Sequence, residues 1–141
     1  MAIDNIFGIA GSALNSQTVR MNAIASNLAN AGTVAGTDQD AFRAKRTVFK
    51  AIMDQHVAPQ DSSYQGGVKV VQIKDDPTPV RRQLDPGNPL ADKDGYIYTS
   101  NVNEMGEMVD MMAASRSYQN NVEVINTARQ LMMRTLDIVK A

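Results

Sequence analysis

The 141-residue sequence has no cysteine and no tryptophan, and it contains a single histidine, His56. The missing thiols exclude disulfide bonds, zinc sites built from cysteine and thiol catalysis. His56 has no second histidine to share a metal ion and no serine motif to complete a catalytic triad. We therefore expect no catalytic residues, no metal ion and no cofactor, and we expect that the protein is not an enzyme.

The chain is also close to neutral and has no long apolar run. The formal charge is −1, so no overall field favours nucleic acid or an anionic membrane as a partner. No stretch is long and apolar enough to span a bilayer. The N-terminus carries Asp4 and no basic residue before Arg20, and Gly8 and Gly11 weaken its apolar run. We expect neither membrane insertion nor a cleaved signal peptide.

Heptad periodicity at the C-terminal end is the strongest positive signal. Residues 101–139 are predicted to form one long helix, since no proline follows Pro89. Asn101 is the predicted N-cap, with Glu104 three residues later to complete a capping box. Apolar residues spaced as in an a/d seam of a coiled coil then follow: Met108, Met111, Tyr118, Val122, Ile125, Met132, Leu136 and Val139.

The same helix carries further apolar residues away from that seam. Val124, Leu131 and Ile138 are also seven residues apart, and a helix that is apolar on more than one side must be covered on more than one side. Six of the nine methionines lie here, and their heptad spacing favours a packed core over a peptide-binding groove. Other copies or other proteins are therefore implied. The alternative function is a small helical adaptor or export chaperone that binds a partner peptide through a methionine-rich face.

A second heptad segment is predicted as a helix over residues 3–30. It holds only two charged residues, Asp4 and Arg20, whereas a helix bathed in solvent carries more lysine and glutamate. We interpret its serine, asparagine and alanine faces as contacts with helices of other subunits, in preference to contacts within its own domain. The two heptad series of this segment are Phe7, Leu14, Met21 and Leu28, and Ile3, Ala10, Gln17 and Ile24.

The middle of the chain, residues 33–99, is predicted to be a small β-rich insert. The fold class is therefore mainly α with a β insert (α+β), in which residues 1–32 and 100–141 form one helical domain. Strands are predicted at 42–52, 68–73 and 96–98 from alternation and flanking glycines, with loops at 31–40 and 54–65. Asp92 begins a segment similar to the start of a calcium loop, but the later ligands are missing, which favours a turn.

Several motifs in order along the chain resemble one known family. These are NLAN at residues 27–30, FRAK at 42–45, GGVKV at 66–70, DPGNPLAD at 85–92 and SRSYQNNVE at 115–123. They resemble the rod and hook proteins of the bacterial flagellum, and among these the proximal-rod proteins. Leu84 departs from the pattern, since a tyrosine is expected before the turn. The resemblance covers nearly the whole chain.

This resemblance implies a structural subunit of the flagellar basal-body rod. Members are exported unfolded through the flagellar type III apparatus without a cleaved signal, and they polymerise in the periplasm. Their terminal helices surround the export channel, their β-rich part lies outside, and the rod transmits torque. The implied partners are other copies, other rod proteins, and the basal-body and export-gate proteins at the rod base, with no small-molecule substrate.

The resemblance also implies which residues serve assembly. Asn27 and Asn30 would cap the end of the first helix or bridge to a neighbour's backbone, and for Asn30 a simple C-cap is an equal alternative. The remaining residues would lock the helices within and between subunits: Phe7, Leu14, Met21, Ile24, Leu28, Met108, Met111, Tyr118, Val122, Ile125, Met132 and Val139.

Overall fold

The computed structural model describes residues 2–52 and 66–140, with side chains described at 5–52 and 66–138. The predicted loop 54–65, including His56, lies outside the described residues. Within these residues, two helices flank five strands in chain order, so the prediction of a mainly α chain with a β insert is confirmed. The elements are α1 (Ala2–Ala29), β1 (Val34–Ala35), β2 (Lys45–Ala51), β3 (Val68–Asp75), β4 (Arg81–Leu84), β5 (Tyr96–Thr99) and α2 (Glu104–Lys140).

The two helices pack against each other in antiparallel orientation. Asn27, near the end of α1, contacts Glu107 at the start of α2, whereas Ile6 lies beside Val124. The apolar side chains that the two helices bury are small or compact. The buried apolar residues of the two helices are Ala10, Ala23, Ile24, Ala114 and Ala128. Neither helix, over the residues described, is long and apolar enough to cross a membrane.

Helix α2 begins two residues later than a cap at Asn101 would require. Its N-cap is Asn103, whose Oδ1 accepts a 3.1 Å hydrogen bond from the Gly106 N–H. Asn101 is engaged elsewhere, because its Oδ1 accepts from the Ala44 N–H at 2.8 Å and its amide donates to the Thr78 carbonyl at 2.7 Å. The predicted capping box is therefore wrong. Asn101 instead links the β insert to the segment just before α2.

The strands form two separate antiparallel sheets. β2 pairs with β3 in a hairpin that contains an irregularity between Val48 and Phe49. β5 lies between β1 and β4 in the second sheet. The strands predicted at 42–52, 68–73 and 96–98 correspond to β2, β3 and β5. β1 and β4 were not predicted, because β1 has only two residues and all four residues of β4 are exposed.

Candidate assembly surface

A buried polar junction joins the end of α1 to the start of β2. The Asn27 side chain is fully buried. Its Oδ1 accepts from the Lys45 N–H at 2.7 Å, and its Nδ2 donates to the Lys45 carbonyl at 3.0 Å. One side-chain amide thus satisfies both backbone groups of Lys45, as a neighbouring strand would. Asn27 neither caps its own helix nor is free to bridge to another chain, in contrast to both predicted roles.

The junction extends into α2 through a buried carboxylate. Glu107 is 1% exposed, and its Oε2 accepts a 2.9 Å hydrogen bond from Asn27. Its Oε1 accepts a 2.6 Å bond from Arg46 Nη1. A buried charge is costly unless it is paired and hydrogen-bonded, and both oxygens of Glu107 have such partners. The junction therefore fixes α1, α2 and β2 relative to one another.

Asp76 binds Arg46 on the side of this network that lies nearer to solvent. Its Oδ2 accepts from Arg46 Nε at 3.2 Å, and its Oδ1 accepts from both the hydroxyl and the N–H of Thr78. The Thr78 hydrogen bonds, followed by that of Arg46, hold the pKa of Asp76 below its usual value. Burial works to lower the pKa of Arg46, but hydrogen bonding to Asp76 and the charge of Glu107 raise it overall. Arg46 therefore acts as a cation that joins two carboxylates, Glu107 of α2 and Asp76 beyond the end of β3.

Two serines of α1 attach the other end of the hairpin. The Ser12 hydroxyl accepts from the Val68 N–H at 3.1 Å and donates to the Ile9 carbonyl at 2.7 Å. The buried Ser16 hydroxyl donates to the Val68 carbonyl at 3.3 Å. These small polar side chains, interpreted from the sequence as contacts with other subunits, thus bind the hairpin of their own chain. Among the other polar residues of α1, Asn15, Thr18, Asn22 and Ser26 are exposed, as described below.

Asn30 and Asp92 both form local turns. Asn30 Nδ2 donates to the Ser26 carbonyl at 2.8 Å at the end of α1. The Asp92 carboxylate accepts from the N–H groups of Asp94 and Tyr96, which hold its pKa below the usual value, Tyr96 most strongly. The Asp92 segment is therefore a turn that leads into β5.

Most of the predicted seam residues are at least partly buried in the single chain. Ile24 is buried, and most others are partly buried: Phe7, Leu14, Met21, Leu28, Met111, Tyr118, Val122, Ile125 and Met132. Met108 and Leu136 are about half exposed, at 49% and 48%. Met108 lies on a different side of α2 from the buried residues Glu107 and Ala114, and Leu136 follows Ala128, the last buried residue described in α2. Val139 lies outside the described side chains.

A large share of the apolar surface of α2 is left uncovered in the single chain. Four of its six methionines (Met105, Met108, Met112 and Met133) are exposed, so the expectation of a methionine core applies only to Met111 and Met132. Val124, Leu131 and Ile138 are exposed as well. After Ala128 no described side chain of α2 up to residue 138 is buried. The C-terminal part of α2 is therefore an apolar segment that the described part of the chain leaves largely exposed.

The outward face of α1 is exposed yet uncharged. Its residues follow helical spacing of three and four, and Gly11 has open space around its Cα. A face of small uncharged side chains suits close contact with another helix better than contact with solvent. The exposed residues of this face, which we call the outer face of α1, are Gly11, Asn15, Thr18, Asn22, Ala25, Ser26 and Ala29.

Comparison with known proteins identifies the family. Residues 7–35 match the family described as "Flagella basal body rod protein", and residues 93–138 match "Flagellar basal body rod FlgEFG protein C-terminal". The chain is 52% identical to the flagellar basal-body rod protein FlgC of Yersinia enterocolitica, and the match covers 98% of each chain. The proteins of the same name from Salmonella typhimurium and Buchnera aphidicola subsp. Schizaphis graminum are 49% and 44% identical, again over 98% of both chains. The chain therefore belongs to the FlgC family of flagellar basal-body rod proteins, which are structural proteins and not enzymes.

Proposed function

We propose that this chain polymerises through its two terminal helices, with other copies of itself and with other rod proteins, into the proximal part of the basal-body rod. Residues 1–32 and 100–141 act as the assembly domain, and they line the export channel. Residues 33–99 lie on the outside of the tube. The assembled rod transmits torque, and its lowest copies contact the basal-body and export-gate proteins at the rod base.

The apolar surface that one copy leaves uncovered is the observation that carries this proposal. Leu131 and Ile138 are 57% and 77% exposed on the C-terminal part of α2. Burying a large apolar side chain contributes roughly 1.5–3 kcal/mol, so contacts of this kind with several neighbours make dissociation slow. The uncharged outer face of α1 supports the same conclusion, because it can approach another helix without desolvating a charge.

We propose also that the chain is exported without removal of its N-terminal segment. That segment is α1, which supplies Ser12, Ser16, Ile24 and Asn27 to the fold. A chain without α1 would expose the buried side of α2 and leave Glu107 without one of its two partners. The N-terminal segment therefore has a structural role that a cleaved leader does not have.

A matched pair of substitutions tests the assembly role. Leu131→Asp places a charge on the uncovered part of α2, and Val71→Asp places one on β3, where the side chain is equally exposed at 55%. Neither change should lower the free energy of unfolding of the monomer by more than about 0.5 kcal/mol, since both sites are exposed. In cells that lack the wild-type protein, we expect Leu131→Asp to be lost from the basal-body fraction and to abolish swimming.

Val71→Asp should remain in that fraction and restore swimming. Urea unfolding of both purified variants checks that the monomers are equally stable. Normal incorporation of Leu131→Asp would contradict the proposal, as would equal loss of both variants from the basal body.

A further inference from the structure

Four methionines of α2 present their side chains to solvent in the single chain. Their exposed fractions lie between 49% and 73%, so the side chains are open to dissolved reagents. Three of them fall within two turns at the start of the helix, and the fourth lies near its C-terminal end. We call them the outer methionines, and they are Met105, Met108, Met112 and Met133.

Two Met–Met pairs in the sequence each combine an outer methionine with a more deeply buried neighbour. Met112 is 65% exposed, whereas Met111 before it is partly buried. Met133 is 55% exposed, whereas Met132 before it is partly buried. Adjacent residues of a helix point about 100° apart, which is why the two members of a pair differ. The fold therefore places chemically identical groups, next to each other in the sequence, in different surroundings.

Methionine supplies all the sulfur of this chain, since the sequence has no cysteine. A peroxide oxidises a thioether to a sulfoxide. With hydrogen peroxide, the sulfur bonds to one oxygen as the O–O bond breaks, and the other oxygen takes up the proton and leaves as water. The sulfur loses two electrons and the peroxide is reduced. The product is a polar side chain in place of an apolar one, and sulfoxide reductases can restore the methionine.

We infer that the outer methionines are an oxidation site that regulates assembly: a peroxide converts them to sulfoxides in the free chain, leaves the fold intact and prevents incorporation into the rod. The inference rests on the proposed function and names the regulation of its assembly surface. No methionine is among the buried residues of the described chain. Oxidation of the outer methionines therefore does not reach the core that holds the two helices together.

The same oxidation has a different effect on the free chain and on the assembled one. In the free chain, a sulfoxide on an exposed side chain keeps its hydrogen bonds to water. In an apolar contact with another subunit, its oxygen would lose that water without gaining a donor, which is unfavourable. Oxidation therefore opposes assembly and not folding.

Site-resolved mass spectrometry of the purified full-length chain tests the modification itself. After brief treatment with hydrogen peroxide, we expect Met112 and Met133 to be oxidised severalfold faster than Met111 and Met132. The difference should disappear in concentrated urea, because it arises from the fold. The urea midpoint of the selectively oxidised chain should equal that of the untreated chain. Equal rates within each Met–Met pair of the folded chain would overturn the inference.

Two sets of substitutions test the effect on assembly. The leucine set keeps an apolar surface that a peroxide cannot oxidise, and the glutamine set puts a polar amide of similar length at the same four positions. In cells that make only the variant, the leucine set should reach the wild-type level in the basal-body fraction, and the glutamine set should fall at least about tenfold below it. Peroxide added while the chain is being synthesised should lower incorporation of the wild type but not of the leucine set. The leucine set is Met105→Leu, Met108→Leu, Met112→Leu and Met133→Leu.

The outcomes separate this inference from the proposed function. If the glutamine set is incorporated as well as the leucine set, or if peroxide lowers the wild type and the leucine set equally, the regulation is overturned and the proposed function stands. Urea unfolding shows whether the glutamine set folds normally; if it does not, the peroxide comparison of wild type and leucine set decides alone. If the untreated wild-type chain is missing from the basal-body fraction, the proposed function fails, and the inference fails with it.

Discussion

The side-chain amide of Asn27 donates a 2.9 Å hydrogen bond to Oε2 of Glu107, and the two side chains are 0% and 1% exposed. The bond joins the last turns of α1 to the first turn of α2. It also orients Asn27 so that the other side of the amide meets both backbone groups of Lys45. A single polar contact thus couples the helix pair to the β insert, and it lies in the monomer and not between subunits.

We expect Asn27→Ala and Asn30→Ala to differ sharply, although both residues belong to the same NLAN motif. Asn27→Ala leaves Lys45 and Glu107 with unsatisfied buried groups and should lower the free energy of unfolding by about 2–3 kcal/mol. Asn30→Ala removes one exposed bond to the Ser26 carbonyl and should cost no more than about 0.5 kcal/mol. Urea unfolding followed by circular dichroism measures both, and equal losses would contradict the structural assignment.

The difference between these two asparagines also shows the limit of prediction from the sequence. Heptad spacing and the alternation of residues along a strand are both local patterns. The two helices and three of the five described strands could therefore be predicted from neighbouring residues. The role of Asn27 depends on Lys45 and on Glu107, which is 80 residues away, and no local pattern reports that contact. The N-cap predicted at Asn101 is wrong for the same reason, since its partners Ala44 and Thr78 belong to distant segments.

The local sequence pattern also does not show which residues of the heptad series are exposed in the folded chain. Met108 and Met111 both fit the a/d spacing, but Met108 is 49% exposed and Met111 is more deeply buried. An α-helix has 3.6 residues per turn, so a strict seven-residue repeat drifts around a straight helix. Which members face the partner is decided by the position of α1. The signal that could have shown this was Glu107, an acidic residue on the inner side of α2 with Asn27 and Arg46 to pair with.

Protonation of Asp76 should reduce stability in acid. Its pKa in the folded state is held below the ordinary value of 3.8, chiefly by the Thr78 hydrogen bonds. A lowered carboxyl pKa contributes stability that is fully present above the ordinary pKa and is lost as the pH falls through the lowered value. Asp76→Asn should therefore be less stable than wild type at about pH 5 and above, with a difference that shrinks below about pH 4.

Urea midpoints measured across this pH range test the prediction. Thr78→Val, which removes the hydroxyl donor but keeps the backbone N–H, should weaken the same dependence without abolishing it. If the difference in urea midpoint between wild type and Asp76→Asn stays constant from neutral to acidic pH, the ionisation of this carboxylate does not contribute to stability.

Two glycines near the same hairpin attachment should respond to alanine in opposite ways. Gly67 has φ +132°, and a Cβ there would lie 2.8 Å from the Ser12 hydroxyl oxygen. That hydroxyl holds the Val68 N–H, so it cannot move without breaking the attachment. Gly67→Ala should therefore cost about 1–3 kcal/mol of unfolding free energy. Gly11 has no atom within 4 Å of an added Cβ, and Gly11→Ala should stabilise the monomer by up to about 1 kcal/mol.

Incorporation into the basal body provides a second measurement for the Gly11→Ala variant. Since it lies on the outer face of α1, which we propose to pack against a neighbouring helix, the added methyl group should push that helix away. We expect Gly11→Ala to unfold at a higher urea concentration than wild type and yet to accumulate less in the basal-body fraction. A variant that is more stable and equally well incorporated would show that the outer face of α1 is not a close helix contact. In that case the uncovered apolar part of α2 would have to carry assembly without it.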